Sequence, residues 1–200
     1  MRNPDGSPAT TRLTLTPAGW QLLKTWEGCR LSAYPDPASG GDPWTIGYGH
    51  TGPEVSPGLT VSQAQADTWL EADVAKAAAA VNRLLAPVAL SPTQRDALVS
   101  FCFNVGAGAL EGSTLRRRLL AGEPVQRVFA AELPRWCQGP NGPLEGLQRR
   151  RTAEVEHAGA GIACPAASPA KASAPAELIQ LAAPYLSQND STTSQLRHPP

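Results

Sequence analysis

Long apolar runs, net charge and clustered cysteine are all missing from this chain of 200 residues. No stretch approaches the roughly 18 consecutive apolar residues of a membrane-crossing helix, which excludes membrane insertion by such a span. Lys+Arg 17 balance Asp+Glu 17 to a formal net charge of +0, which excludes a generally basic nucleic-acid binder. The four cysteines, Cys29, Cys102, Cys137 and Cys164, form no CxxC pair and no Cys/His cluster with zinc-ligand spacing. Neither a structural metal nor a disulfide framework is expected, and reduced thiols fit a protein made in the cytoplasm. The opening segment MRNPDGSPATTR is polar and lacks the apolar core of an export signal, so no standard secretion route is expected.

What is present suffices for one domain, with room for two lobes and for tails: 42% of residues are hydrophobic. Charge is uneven within the balanced total. Trp20 to Asp96 carries five basic and eight acidic residues, and Glu111 to Arg151 carries eight basic and four acidic, a local +4 that would attract an anionic polymer. Residues 1–14 read as a disordered lead and residues 159–200, rich in Ala, Pro and Ser, as a linker and disordered tail. The domain is expected over 15–158.

Local signals lay out its elements. Thr16-Pro17 opens a helix that Gly28 stops, which puts Glu27 at its end. Trp44 to Gly49 is strand-like, and Pro/Gly-rich sequence around it predicts a small antiparallel meander with a long tip over 36–43. A capping box at Thr60-Val61-Ser62-Gln63 starts an alanine-rich helix running to about Ala86. A second box at Ser91 feeds an apolar helix, Ser113 and Pro124 open two more, and a last helix carries Leu144, Leu147 and Arg151 on one face. The fold class is α+β: a small β-containing lobe, then a larger helical lobe, joined by the long helix, with a cleft between them.

The chemistry concentrates between Trp26 and Thr51, where Glu27, Asp36 and Asp42 stand with Thr45 and His50. Glycosidic cleavage needs a proton for the leaving oxygen and a second carboxylate to manage water or positive charge. An acid at a helix end beside Trp and Leu can be desolvated and kept protonated. Asp36, on a polar loop, would stay ionised. His50 reads as structural, pairing with a nearby acid. The Arg116–Arg118 and Arg149–Arg151 runs read mostly as solvated faces, one member of each pairing with an acid such as Glu154.

Three blocks carry a family likeness: Glu27 to Leu31, Ala33 to Asp36, and Trp44 to Thr51. With Phe101 to Gly106, Ser113 to Leu115, Arg135-Trp136 and Gly146 to Glu154 following in order, the sequence resembles the phage-type lysozymes of glycoside hydrolase family 24. That resemblance implies a lysozyme-like fold and an endolysin activity, hydrolysis of the β-1,4 bond between N-acetylmuramic acid and N-acetylglucosamine in peptidoglycan with net inversion. It places the family's Glu–Asp–Thr triad on Glu27, Asp36 and Thr45. It implies no metal or organic cofactor, a monomer, and dependence on a holin that permeabilises the inner membrane while the enzyme waits in the host cytoplasm. Trp44 and Tyr48 are candidates to line the sugar cleft, with core packing as the alternative. Asn104 is a candidate for a sugar hydroxyl or N-acetyl group, with a helix cap as the alternative. One departure stands out: the loop between Asp36 and Thr45 is longer by about three residues than the family's common form, so Asp42 competes with Asp36 for the second-carboxylate role. Two other readings remain at this level, a lytic transglycosylase using Glu27 alone and a wall-binding module without catalysis.

Overall fold

The computed structural model describes residues 15–36, 40–139 and 142–159. The expected lead over 1–14 and the tail from 160 lie outside the described residues. Helix α1 spans Pro17–Glu27. Thr16 caps it, its side chain accepting from the Gly19 N–H, and proline occupies the first turn where no N–H is needed. Gly19, Leu23 and Glu27, four apart, form its buried stripe. Gly28 follows at φ 63, a backbone region closed to most side chains, and swings the chain out of the helix.

Strands β1 (Arg30–Tyr34), β2 (Thr45–Gly47) and β3 (His50–Thr51) form an antiparallel sheet in that order. Tyr34 pairs with Thr45 and Arg30 with Gly47; the register slips between them, so β1 carries extra residues. Helix α2, Gln63–Leu84, contacts this sheet as well as helices α3 (Pro92–Val105) and α4 (Ala107–Gly112). It is the expected long connector between the two lobes, but it starts at Ser62 rather than Thr60. Thr60 is used in an antiparallel bridge to Ser32, which holds it out of the helix.

Ser91 builds the anticipated capping box with Gln94 at the start of α3. Every residue of α3 from Ala97 to Val105 is buried, as expected for a helix enclosed on all sides. Around it stand α1, α2 and α4, with α5 (Thr114–Leu120) and α6 (Val125–Glu132) beyond. A 3₁₀ turn at Leu133–Arg135 and a two-residue ladder, β4 (Gln138–Gly139) with β5 (Gly142–Pro143), lead into α7, Glu145–Ala158. α7 lies along α3. Its buried residues are Arg150, Arg151, Glu154 and Ala158. Leu144 and Leu147, expected to lead that face, are only half-buried.

Candidate active site

Glu27 ends the core stripe of α1 and is 3% exposed. Arg150 Nη1 approaches its Oε1 to 2.6 Å, out of line for a hydrogen bond, so the contact is an ion pair rather than an aligned donor. Burial pushes the Glu27 pKa up. Arg150, through charge and contact, and Arg151 pull it back, and Glu154 adds to the push. The net direction is upward, because the desolvated carboxylate is disfavoured more than two guanidiniums favour it.

The sheet brings the other two members of the expected triad, Thr45 and Asp36, to the Tyr34 end of β1. Thr45 opens β2 opposite Tyr34; it is fully buried, and its hydroxyl has no hydrogen-bond partner among the described residues. Asp36 follows Tyr34 by two residues. Its N–H donates to Gly41 O at 2.9 Å and its carbonyl accepts from Gly40 N–H at 2.7 Å, which folds the loop back on itself. Asp36 is buried; Asp42 is exposed. Burial raises the Tyr34 phenol to about 12, eased by Arg30 and reinforced by the charge of Glu27. Tyr34 thus feels the charge of Glu27 and pairs with Thr45 across the sheet.

The remaining candidates fall in different surroundings. Trp44 is half-buried beside Thr45. Tyr48 joins the hydrophobic core; its hydroxyl accepts from Gln63 Nε2 at 3.0 Å and Lys24 Nζ lies 5.4 Å from its ring centre. Tyr48 is thus 8% exposed and packed among core side chains. Asn104 is buried, and its Oδ1 accepts from Arg151 Nη2 at 3.0 Å. His50 sits between Asp73, 2.6 Å from Nδ1, and Glu54, 2.7 Å from Nε2, and stacks on Trp69. Among the described residues no group of three or more His, Cys, Asp or Glu side chains is placed to hold a metal ion.

A sequence profile described as phage lysozyme matches residues 24–154, which include Glu27, Asp36, Thr45 and the arginines behind them. The chain belongs to the phage lysozyme family. It is 39% identical over 142 residues to an endolysin of Bacillus phage PZA, covering 71% of this chain and 54% of that protein. It is 38% identical over 140 residues to an endolysin of Acyrthosiphon pisum secondary endosymbiont phage 1, covering 68% of this chain and 91% of that protein. The chain spans about half the length of the first curated relatives it matches, 54% and 52%. Among solved structures, the muramidase domain of SpmX from Asticaccaulis excentricus superposes with a TM-score of 0.65 at 37% identity, covering 72% of this chain and 96% of that one. The α+β architecture is thus the lysozyme-like one.

Within this phage lysozyme fold, residues that sequence reasoning assigned to a solvated face form the floor behind Glu27. Arg150 and Arg151 are 2% and 0% exposed, and Glu154 is 0%. Only Arg149 of that run is open to solvent. Burial pulls Arg151 down to about 10, against the pull of Glu154. Arg118 likewise is engaged by Glu123 and Glu132 at 2.6 and 2.8 Å. Half of the +4 of this region, Arg150 and Arg151, is therefore held inside the molecule against Glu27 and Glu154 rather than offered to a polymer. The signal was legible in principle: α7 has almost no apolar face, yet it had to cover α3, so charged side chains had to go inside in pairs.

Proposed function

We propose that the chain is a muramidase of the endolysin kind, hydrolysing the β-1,4 bond between N-acetylmuramic acid and N-acetylglucosamine in bacterial peptidoglycan. The observation that carries this is Glu27: a buried acid, biased towards its protonated form, whose charge reaches Tyr34, the strand partner of Thr45 with its unpartnered hydroxyl. Glu27 gives its proton to the glycosidic oxygen as the C–O bond breaks. Asp36, ionised, and Thr45 Oγ1 orient a water whose oxygen bonds to the anomeric carbon from the opposite face, and Asp36 takes the proton that water releases. The outcome is inversion. Trp44 offers a ring face to a sugar. Asn104, its carbonyl oxygen already committed to Arg151, keeps its amide N–H groups for a hydroxyl or acetamide oxygen.

Glu27→Gln tests this reading, because Gln keeps the shape and has no proton of that acidity to give. The variant should melt like the parent and fail to lyse purified sacculi; undiminished lysis would take the proton-donor role from Glu27, and a parent that binds sacculi without lysing them would be a wall-binding module. Mass spectrometry of the released muropeptides decides the reaction: hydrolysed ends support it, and anhydro ends one water lighter would make it a lytic transglycosylase. The protein works as a monomer, for which sedimentation should give a single species of 21.0 kDa. It waits in the host cytoplasm for a holin lesion; in host cells, lysis should require co-expression of a holin, and lysis without one overturns that step.

A further inference from the structure

Behind Glu27 lies a closed set of charged side chains that proton donation by itself does not require. Glu154 Oε1 accepts from Ser100 Oγ at 2.8 Å, from Arg151 Nη2 at 2.9 Å and from Arg150 Nε at 3.3 Å. Its Oε2 lies 2.9 Å from Arg151 Nε. Arg150 is held on three sides: by Glu154 at Nε, by the Ser100 carbonyl at Nη2 (3.0 Å), and by Glu27 at Nη1. A guanidinium tied at Nε and Nη2 cannot swing, so the position of Nη1 against Glu27 is set from the far side, by α3 and by Glu154. Arg151 is fixed in turn between Glu154, Asn104 and the face of Phe101, 5.1 Å from the ring centre.

We propose that Glu154 is a positioning residue for the catalytic acid: it anchors Arg150, and thereby fixes the Glu27 carboxyl, while its charge offsets the two arginines that would otherwise hold Glu27 ionised. This rests on the reading of Glu27 as the proton donor. Charge counting supports it. With Glu27 protonated, Glu154 supplies the negative charge of this four-residue set against Arg150 and Arg151 in a region closed to water. Without Glu154 the two guanidiniums face Glu27 alone, and a carboxyl facing two uncompensated positive charges surrenders its proton at lower pH. The other groups facing Glu27 do not replace that charge. Tyr34 from β1 is neutral at working pH, α3 presents the uncharged Ser100, Phe101 and Asn104 to the cluster, and Cys137 bears on it electrostatically through Arg151.

The test is Glu154→Gln in the full chain, with folding followed by cooperative melting and activity by the pH dependence of kcat/KM on soluble glycan chains. The alkaline limb, which reports deprotonation of the acid, should move down by about one pH unit or more, with KM little changed. A folded variant with the alkaline limb of the parent overturns the proposal. Should Glu154→Gln not melt cooperatively, Glu154→Asp carries the test, since it keeps the charge but draws it back by one methylene. A smaller shift in the same direction supports the proposal and an unshifted limb rejects it. If neither variant folds, Glu154 is a framework residue and the proposal falls. Glu27→Gln separates the two levels: if that variant still lyses sacculi, the reading of Glu27 has failed, whereas an inactive Glu27→Gln beside an unshifted Glu154 variant removes only this inference.

Discussion

Arg150 Nη1 stands 2.6 Å from Glu27 Oε1 with both side chains almost wholly withdrawn from water. Burial acts on the carboxyl more strongly than the guanidinium does, so the folded pKa lies above 4.5. A carboxyl raised in the fold lends stability that is complete below its unfolded pKa and is lost as pH rises through its folded pKa. Wild type should therefore lose stability relative to Glu27→Gln from pH 4.5 upward, by about 1.4 kcal/mol for each unit of elevation. Urea denaturation of both proteins between acid and mildly alkaline pH measures this. Parallel stability curves would mean that Glu27 is not perturbed.

The inserted loop offers two aspartates, and their surroundings differ. Asp36 is buried beside the Tyr34–Thr45 pair, and its backbone is tied to Gly40 and Gly41; Asp42 is exposed. Removing a carboxylate that orients the attacking water should lower kcat by about 100-fold or more. Asp36→Ala is expected to do this, and Asp42→Ala to leave kcat close to that of the parent. Turnover of a defined glycan oligomer by the two variants checks it, and the reverse order would move the water-holding role onto the insertion.

Elements marked by local chemistry were readable in the sequence. Thr16-Pro17 and Gly28 frame α1 because capping and positive φ depend on a few neighbouring residues, and they put Glu27 where it is. The start of α2 was misplaced by two residues because Ser62-Gln63-Ala64-Gln65 repeats the pattern of Thr60 to Gln63, and only the distant bridge from Thr60 to Ser32 decides between them. The β4–β5 ladder has two residues a side, too few for any periodicity. The burial of Arg150, Arg151 and Glu154 is a tertiary fact. Charge reads as solvent-facing until a partner on another helix supplies the opposite sign.

His50 gives a second pH window. Burial lowers its pKa, but the hydrogen bonds and charges of Asp73 and Glu54 outweigh burial and leave it raised above 6.5. The stability this imidazolium contributes is full below pH 6.5 and is lost as pH rises through the folded value. Asp73 is largely buried, whereas Glu54 is 45% exposed and its pairing is screened by water. Asp73→Asn should accordingly destabilise by about 1–3 kcal/mol at pH 5.5 and by less at pH 9. Glu54→Gln should stay within about 1 kcal/mol throughout. Thermal melts at the two pH values test both, and equal losses at both would sever the link to His50.

Gly19 is where α1 comes closest to α3. A Cβ there would sit 2.4 Å from Asp96 Cγ and 2.8 Å from Asp96 Cβ. Asp96 has no freedom to retreat, since its carboxylate accepts from the Thr16 N–H and hydroxyl and stands 3.1 Å from His157 Nε2. One residue thus ties the entry of α1 and the end of α7 to the start of α3. In an unconstrained helix alanine would outdo glycine by up to about 1 kcal/mol. Here the clash should reverse that sign, so Gly19→Ala is expected to destabilise by about 1–3 kcal/mol. Because the clash lies two turns from Glu27, the folded fraction should keep the parent's kcat. A Tm equal to or above the parent's would mean that Asp96 does not hold its place.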